Sequence, residues 1–227
     1  MRYIAIILLS NLWGQTCIDY LRSPVKWTVR LTNGYDNNVL RLSPIEKDNA
    51  ALNQTILGGA KTFDSHYVRF SLSGHKKIQL ADREKQIQLF FKSNISNYIH
   101  YKHRQHWSGY AKASYHWGAY QRLEYMVSHL NDYYMRHYKD LDITVNQLFT
   151  CSFTDREQRL LMSHPIKLRL WVTGSISFTQ RYYDRSFTEF DSDIITTTLK
   201  VSKRFRDFGM ISVEGIYGIA DLSLIHI

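Results

Sequence analysis

Near its C-terminus, between Ile166 and Ala220, the chain alternates apolar and polar residues for strand after strand. Successive side chains of a β-strand point to opposite faces, so a period of two indicates a sheet with different surroundings on its two sides. Segments of about ten residues with this pattern are typical of strands that cross a membrane in a barrel, with lipid on one side and a polar lumen on the other.

The first run, over 166–179, places chemically distinct residues on its two faces, with Trp171 as the exception on the polar side. Two further runs, before and after a turn at 207–209, repeat the alternation less cleanly. From these runs we expect a charged group facing the lumen and an apolar group facing lipid. The lumen-facing residues are Lys167, Arg169, Lys200 and Glu214, and the lipid-facing residues are Leu168, Leu170, Val172, Val213 and Tyr217.

Residues 1–16 have the anatomy of a secretory signal peptide. Arg2 supplies a positive charge, 3–12 are almost entirely apolar, and Gly14 lies near a plausible cleavage point. The apolar stretch is too short to cross a bilayer as a helix. A buried first element of a cytosolic protein is the alternative, and Cys17 leaves lipoprotein processing open. We expect one β-barrel domain at 17–221 after the signal peptide.

The last six residues, 222–227, match the translation of a common sequencing adapter in one reading frame. We therefore expect an adapter-derived tail there, and an incomplete barrel whose natural sequence continues beyond Asp221. Outer-membrane barrels usually close with a C-terminal strand that ends in an aromatic residue, and this chain lacks that ending. A genuine terminal strand is the alternative.

The charged residues are distributed along the chain and do not form a single block. The net charge is +9, from 29 basic and 20 acidic residues, which in a soluble protein would suggest a polyanionic partner. The basic residues are interleaved through the predicted strands and turns, so we expect no nucleic-acid partner. Instead they predict a lumen that favours small anionic solutes, or a basic rim that contacts lipopolysaccharide. Ordinary solvated charges are the alternative.

The rest of the chain reads as one β-rich unit without a linker, and about ten strands are predicted in total. Residues 43–53, which include Pro44, and residues 155–165 are predicted as loops. Residues 55–63 and 66–73 are predicted as a pair of strands. Short turns between consecutive strands favour an all-β, antiparallel, up-and-down barrel.

Two short motifs carry a resemblance to a known group of proteins. The run Asn33-Gly34-Tyr35-Asp36-Asn37-Asn38-Val39 resembles the opening of uncharacterised, porin-like outer-membrane barrel proteins of Bacteroidota-like bacteria. The run Asp132-Tyr133-Tyr134-Met135-Arg136-His137-Tyr138-Lys139-Asp140 is similar to a second feature of the same proteins. The resemblance implies a barrel in the bacterial outer membrane and carries over no catalytic residue.

Chemical motifs are weak. Ser128, His129 and Asn131 share residue types with an outer-membrane phospholipase, but adjacent strand residues point to opposite faces and cannot meet as nucleophile and base. The histidines at 100, 103 and 106 lie in a predicted strand end and loop, without a nearby cysteine or paired carboxylate. We expect no catalytic residue, metal or cofactor.

Three functions stay open from the sequence, and the least favoured is an enzyme in a barrel wall whose catalytic partners come from different strands. The first is an outer-membrane barrel in contact with lipid and lipopolysaccharide, with porin-like passive transport or a structural surface role. The alternative is a secreted or periplasmic soluble β-protein that binds a polyanion or glycan. It requires a second layer of protein over the apolar strand faces.

Overall fold

The computed structural model of the protein describes residues 24–52, 57–80, 84–139 and 148–222. The predicted signal peptide at 1–16 and residues 223–227 of the predicted tail lie outside the described residues. Leu222, the first residue of that tail, is the last residue of the final strand.

The described strands form one antiparallel sheet of nine strands, in the order in which they follow along the chain. The all-β, antiparallel prediction is therefore confirmed, with nine strands in place of about ten. Within the described residues the first and last strands do not pair with each other, so the sheet is open. The strands are β1 Lys26–Asp36, β2 Ser65–Gln79, β3 Gln86–Tyr98, β4 His106–Gly118, β5 Gln121–Lys139, β6 Leu148–Lys167, β7 Leu170–Tyr183, β8 Ser192–Phe205 and β9 Gly209–Leu222.

The connections differ in length at the two ends of the sheet. At one end, the short-turn end, they comprise 80–85, 119–120, 168–169 and 206–208. At the other end, the long-loop end, they comprise 37–64, 99–105, 140–147 and 184–191. The 37–64 connection is the longest, and its described part is called the cap below.

The prediction of one strand over 166–179 is wrong. β6 ends at Lys167 and β7 begins at Leu170, so Leu168 and Arg169 form a two-residue turn rather than part of a strand. Arg169 has a φ of 63°, in the left-handed region. The pairing slips by one residue between Pro165 and Lys167, and this bulge keeps the alternation in phase across the hairpin. The sequence pattern therefore passes through the turn without a visible break.

The loop predicted at 43–53 is instead mostly helical. The described α-helix, α1, spans Pro44–Leu52. The Ser43 N–H donates to Glu46 Oε2 at 2.8 Å, and the Glu46 N–H donates to Ser43 Oγ at 3.3 Å. This reciprocal capping box, followed by proline at the first helical position, begins the helix. Proline and polar composition suggested a loop because the same residues favour helix starts.

Two other local predictions are also wrong. Residues 155–165 lie inside β6, where Asp155, Glu157 and Arg159 occupy one face of the strand and Arg156 the other. Residues 57–63, predicted as part of a strand, form a turn and irregular structure within the cap.

The buried apolar cluster of the described chain lies in the cap, not in the sheet. Five cap residues pack there against three tyrosines from the ends of the strands and the 99–105 connection. The cluster comprises Val39, Leu40, Leu42, Ala50, Leu57, Tyr98, Tyr101 and Tyr134.

Candidate functional site

One face of the sheet exposes apolar side chains, and the other face buries small polar side chains. The strand register puts one apolar set of side chains on a common face, the apolar face, and these are well exposed: Phe70 is 44%, Leu199 56% and Val213 71% exposed. On the opposite, polar face, Ser114 is 3% and Ser202 2% exposed. A sheet that faces water on one side normally buries its apolar face, so this arrangement is the reverse of that in a soluble protein.

Aromatic residues stand at both ends of the apolar face. β1 carries Trp27 and Tyr35 there, and β4 carries Trp107 and Tyr115, each pair eight residues apart on the same face. All four side chains are exposed. Tyrosine and tryptophan favour the boundary between water and lipid, because an amphipathic ring finds both of its preferred surroundings there.

On the apolar face of β8, the charged residues lie near the two ends of the strand. These charged residues are Asp193 and Lys203. The positions between them on the apolar face are Ile195, Thr197, Leu199 and Val201. At the long-loop end, Arg156, Gln180, Asp193 and Asp221 form one row across β6 to β9. The interior of this face along β8 is therefore free of charge.

The polar face carries several ion pairs and, beyond them, an excess of positive charge. Arg30, Arg69, Lys92 and Arg122 also lie on this face, and none of them has an acidic partner within 4 Å among the described residues. The net field of this face is therefore positive. Its ion pairs are Lys112–Glu124 at 3.3 Å, Arg159–Glu157 at 2.8 Å, Arg181–Asp155 at 2.8 Å and Lys200–Glu214 at 3.4 Å.

A cavity of about 590 Å³ opens on the polar face, in the half nearer the short-turn end. Side chains from five strands, β5 to β9, line it, which shows that the sheet is concave on its polar side. Arg122 and Arg159 contribute guanidinium groups, and Trp171 contributes an indole ring. The hydroxyl groups of the lining come from Thr173, Ser175, Ser177, Thr196, Thr198 and Ser202.

The cap covers the long-loop end of the polar face. Tyr67 and Tyr98 both lie on that face; Tyr98 belongs to the buried cluster and Tyr67 packs against it. Glu46 of α1 reaches β5, where Arg136 Nη1 donates to Glu46 Oε1 at 2.8 Å. Hydrogen bonds from the N–H and hydroxyl groups of Ser43, together with the Arg136 charge, hold the pKa of Glu46 below its ordinary value. The cap is therefore fastened to the sheet by a carboxylate that stays ionised.

The two motifs that carry the family resemblance both lie at this end. In the first, Asn38 Oδ1 accepts from the Leu42 N–H and Asn38 Nδ2 donates to the Leu42 carbonyl oxygen, each at 2.8 Å. Asp36 Oδ1 accepts from the Asn38 N–H at 3.0 Å. The second motif supplies Tyr134 and Arg136, which hold the cap. Both motifs thus have structural roles at the join between cap and sheet.

The predicted site residues separate into three groups in the structure. Leu170, Val172, Val213 and Tyr217 lie on the apolar face, and Lys200 and Glu214 form an ion pair on the polar face. Leu168 and Arg169 occupy the turn, where Leu168 is 90% exposed. Lys167 pairs with Leu170, and cross-strand partners share a face, so its predicted place on the polar face is wrong. The bulge at residue 166 has shifted it.

The weak chemical motifs do not assemble into a site. Ser128 lies on the polar face, where its hydroxyl donates to Glu157 Oε2 at 3.4 Å, whereas His129 lies on the apolar face against Trp107. His106 Nδ1 lies 2.9 Å from the Arg104 carbonyl oxygen, and His103 packs against Tyr134. Among the described residues no group of three or more His, Cys, Asp or Glu side chains is placed to hold a metal ion.

Sequence reasoning missed the cavity arginines, Arg122 and Arg159. Arg122 begins a run in which Leu123, Tyr125 and Val127 alternate with mostly polar positions, whereas Arg159 follows the charged run 155–157 and Gln158. Their phase within those strands was the available signal. Trp171 was noticed only as an exception to the pattern, and the structure places it in the cavity lining.

The chain has no match among known proteins in three comparisons, with protein-family models, with curated proteins and with solved structures. In the described part of the chain, no helix has the length and apolar character needed to cross a membrane.

Proposed function

We propose that the sheet is a membrane-embedded wall of an outer-membrane β-barrel, with lipid on the apolar face and a polar lumen on the other. The inverted exposure of the two faces carries the proposal. Exposed side chains such as Phe70, Leu199 and Val213 would contact water in a soluble protein, and the described chain has no second layer over them. Lipid hydrocarbon removes that cost.

The apolar band has the height of a membrane. Asp193 and Lys203 are ten residues apart in β8, which corresponds to about 33 Å of strand at about 3.3 Å per residue. A strand tilt of about 40°, usual in membrane barrels, reduces this length to about 25 Å along the membrane normal. The apolar band of outer-membrane barrels is about 25 Å tall.

The unequal loops give the orientation. Outer-membrane barrels have short periplasmic turns and longer extracellular loops. The short-turn end is therefore assigned to the periplasm, and the long-loop end with its cap to the cell surface. Cations at that end include Arg41, whose side chain is 77% exposed, and these supply partners for the phosphates of lipopolysaccharide.

The function that best fits this arrangement is porin-like passive transport or a structural surface role, without a catalytic site. The positive excess on the polar face favours anions in the lumen. Closure requires that the free edges of β1 and β9 be paired. Consecutive strands alternate in direction, so β1 and β9 run the same way, and antiparallel closure takes an odd number of additional strands.

A cysteine scan along β8 tests the proposal. In a background with Cys17→Ser and Cys151→Ser, single cysteines replace residues 194 to 201 and carry a fluorophore sensitive to polarity. In lipid vesicles we expect blue-shifted emission, quenched by brominated lipid, at Ile195, Thr197, Leu199 and Val201. Labels at the alternate positions should be quenched by aqueous iodide. Each neighbouring pair, such as Leu199→Cys and Thr198→Cys, is its own matched control.

The alternative, a soluble polyanion- or glycan-binding β-protein, gives a different result. The labelled protein would then stay in the aqueous fraction without detergent, and brominated lipid would quench none of the eight positions. That outcome would overturn the membrane proposal.

A further inference from the structure

We propose that the cavity of the polar face is a binding site for a small anionic saccharide, one that carries a carboxylate or a phosphate. This inference rests on the proposed function, because it names the solute class for the lumen. The cavity volume of about 590 Å³ lies within the range of about 300–1,000 Å³ that is usual for small-molecule sites.

The anionic group is assigned to Arg122. The other cations of the lining are engaged: Arg159 Nε and Nη2 both donate to Glu157 Oε1, and Lys200 Nζ lies 3.4 Å from Glu214 Oε2. Arg122 has no acidic partner within 4 Å among the described residues, and its Nε is buried without a hydrogen-bond partner. A desolvated donor that lacks an acceptor is costly, and a bound carboxylate or phosphate offers two oxygens that a guanidinium binds with two parallel hydrogen bonds.

The hydroxyl groups of the lining suit a polyol. Thr173 Oγ1 donates to Ser163 Oγ at 3.1 Å, and Ser202 Oγ and Ser212 Oγ are 3.0 Å apart. The hydroxyl groups of Ser175, Ser177, Thr196 and Thr198 have no hydrogen-bond partner among the described residues. Each hydroxyl both donates and accepts, so these groups on β7 and β8 match the alternating donors and acceptors of a sugar ring.

An aromatic pair borders the same cavity. Trp171 stacks on Tyr120, with ring centroids 4.3 Å apart and an interplanar angle of 12°. Tyr120 lies in the turn between β4 and β5, and its φ of 63° holds it in the left-handed region. The stack therefore fixes the indole ring on an otherwise hydroxyl-rich face. A fixed indole beside hydroxyl groups offers a flat apolar surface to the C–H face of a sugar.

The test measures binding to the full chain, refolded in detergent, by titration calorimetry. The probes are glucose 6-phosphate and glucuronate, with glucose and inorganic phosphate as the two partial ligands. We expect both anionic sugars to bind at least tenfold more tightly than either partial ligand. Arg122→Gln should reduce their affinity by tenfold or more and leave the weak affinity for glucose unchanged.

Arg30→Gln is the matched control, because it removes the same charge from the same face, on β1, outside the cavity. It should leave the affinity for glucose 6-phosphate within about twofold of the wild-type value. Equal losses in Arg30→Gln and Arg122→Gln would show a general charge effect and overturn the site. Binding of inorganic phosphate as tight as that of glucose 6-phosphate would overturn the saccharide assignment.

The failure of this inference is distinguishable from the failure of the membrane proposal. A chain that shows the lipid pattern in the β8 scan but binds neither anionic sugar overturns the saccharide site alone. A chain that binds the sugars but shows no lipid contact overturns the membrane proposal and leaves the cavity as the site of a soluble sugar-binding protein.

Discussion

The cap and the strand wall of this protein follow opposite rules of burial. In the cap, Val39 and Leu57 are buried, and half-buried Lys47 places its ammonium group over the Phe63 ring. In the wall, apolar residues such as Leu199 are exposed while serines and ion pairs fill the concave side. The chain thus combines a cap that buries its apolar residues with a strand wall that exposes them, and the boundary between the two lies at the long-loop end.

This difference shows where each kind of stability originates. The cap is held by an apolar cluster, a capping box and the Glu46–Arg136 ion pair, all of which work in water. The strand wall is held by backbone hydrogen bonds between strands, and on the proposed membrane function its apolar face lies against lipid. The two regions should therefore respond to different substitutions.

The largest effect is expected from a charge on the apolar face of the wall. On the proposed membrane function, Val127→Arg places a guanidinium in lipid and should cost about 2–4 kcal/mol of unfolding free energy near the midplane. Ser128→Arg is the matched control, since it lies one residue away on the polar face, beside Glu157. Denaturant titration in lipid vesicles measures both. Equal costs for the two variants would show that the faces are wrongly assigned.

Next in size is a pair of glycine substitutions in the cap. Gly58 and Gly59 have φ of 61° and 83°, where a Cβ costs about 1–2 kcal/mol. A Cβ on Gly58 would overlap the His137 ring, whereas one on Gly59 meets nothing within 4 Å. We expect Gly58→Ala to loosen the cap more than Gly59→Ala, measured by hydrogen exchange of the α1 amides. Indistinguishable exchange would contradict the packing of the cap on β5.

The capping box gives a smaller effect. Ser43→Ala removes the side-chain acceptor for the Glu46 N–H and should cost about 1 kcal/mol of local cap stability. Ser43→Thr keeps a hydroxyl and should retain most of that stability. Protease cleavage within the cap measures both variants, and the thermal stability of the wall should stay unchanged. A large loss of wall stability in Ser43→Ala would argue against two separable regions.

The smallest effect is a pH dependence of the cap. The pKa of Glu46 in the folded cap lies below its ordinary value of 4.5, so ionised Glu46 stabilises the cap fully above that pH. The stabilisation is lost as the pH falls from there through the lowered folded pKa. Hydrogen exchange of α1 against pH should show this step in the wild type and lack it in Glu46→Gln. The same step in both would assign it to another group.

Much of the wall could be predicted from the sequence, because its period of two reports directly on the environment of each face. The runs around Val172, Leu199 and Val213 lie on one face as expected. The β6–β7 turn was missed because an extra residue at the bulge keeps the alternation in phase through 168–169. The α1 helix was missed because Ser43 and Pro44 signal both loops and helix starts.

The cavity illustrates a different limit of sequence reasoning. Arg122, Trp171 and Thr198 come from three strands, and only the register brings them to one concavity. The alternation of apolar and polar residues assigns each residue to a face of the sheet but does not give the register between strands. It therefore cannot predict which residues of different strands are neighbours. Turn lengths and bulges set that register, and the alternation reveals neither of them at the β6–β7 hairpin.

The consecutive strand order has a consequence for how the protein folds. Each strand pairs with the next one along the chain, so the sheet is built from local contacts that close short loops and can form hairpin by hairpin. The Glu46–Arg136 contact, by contrast, joins residues 90 positions apart and requires β2 to β5 to be in place. We therefore expect a folding order in which the strands assemble first and the cap closes afterwards, so that a protease-sensitive cap marks a sheet still being assembled.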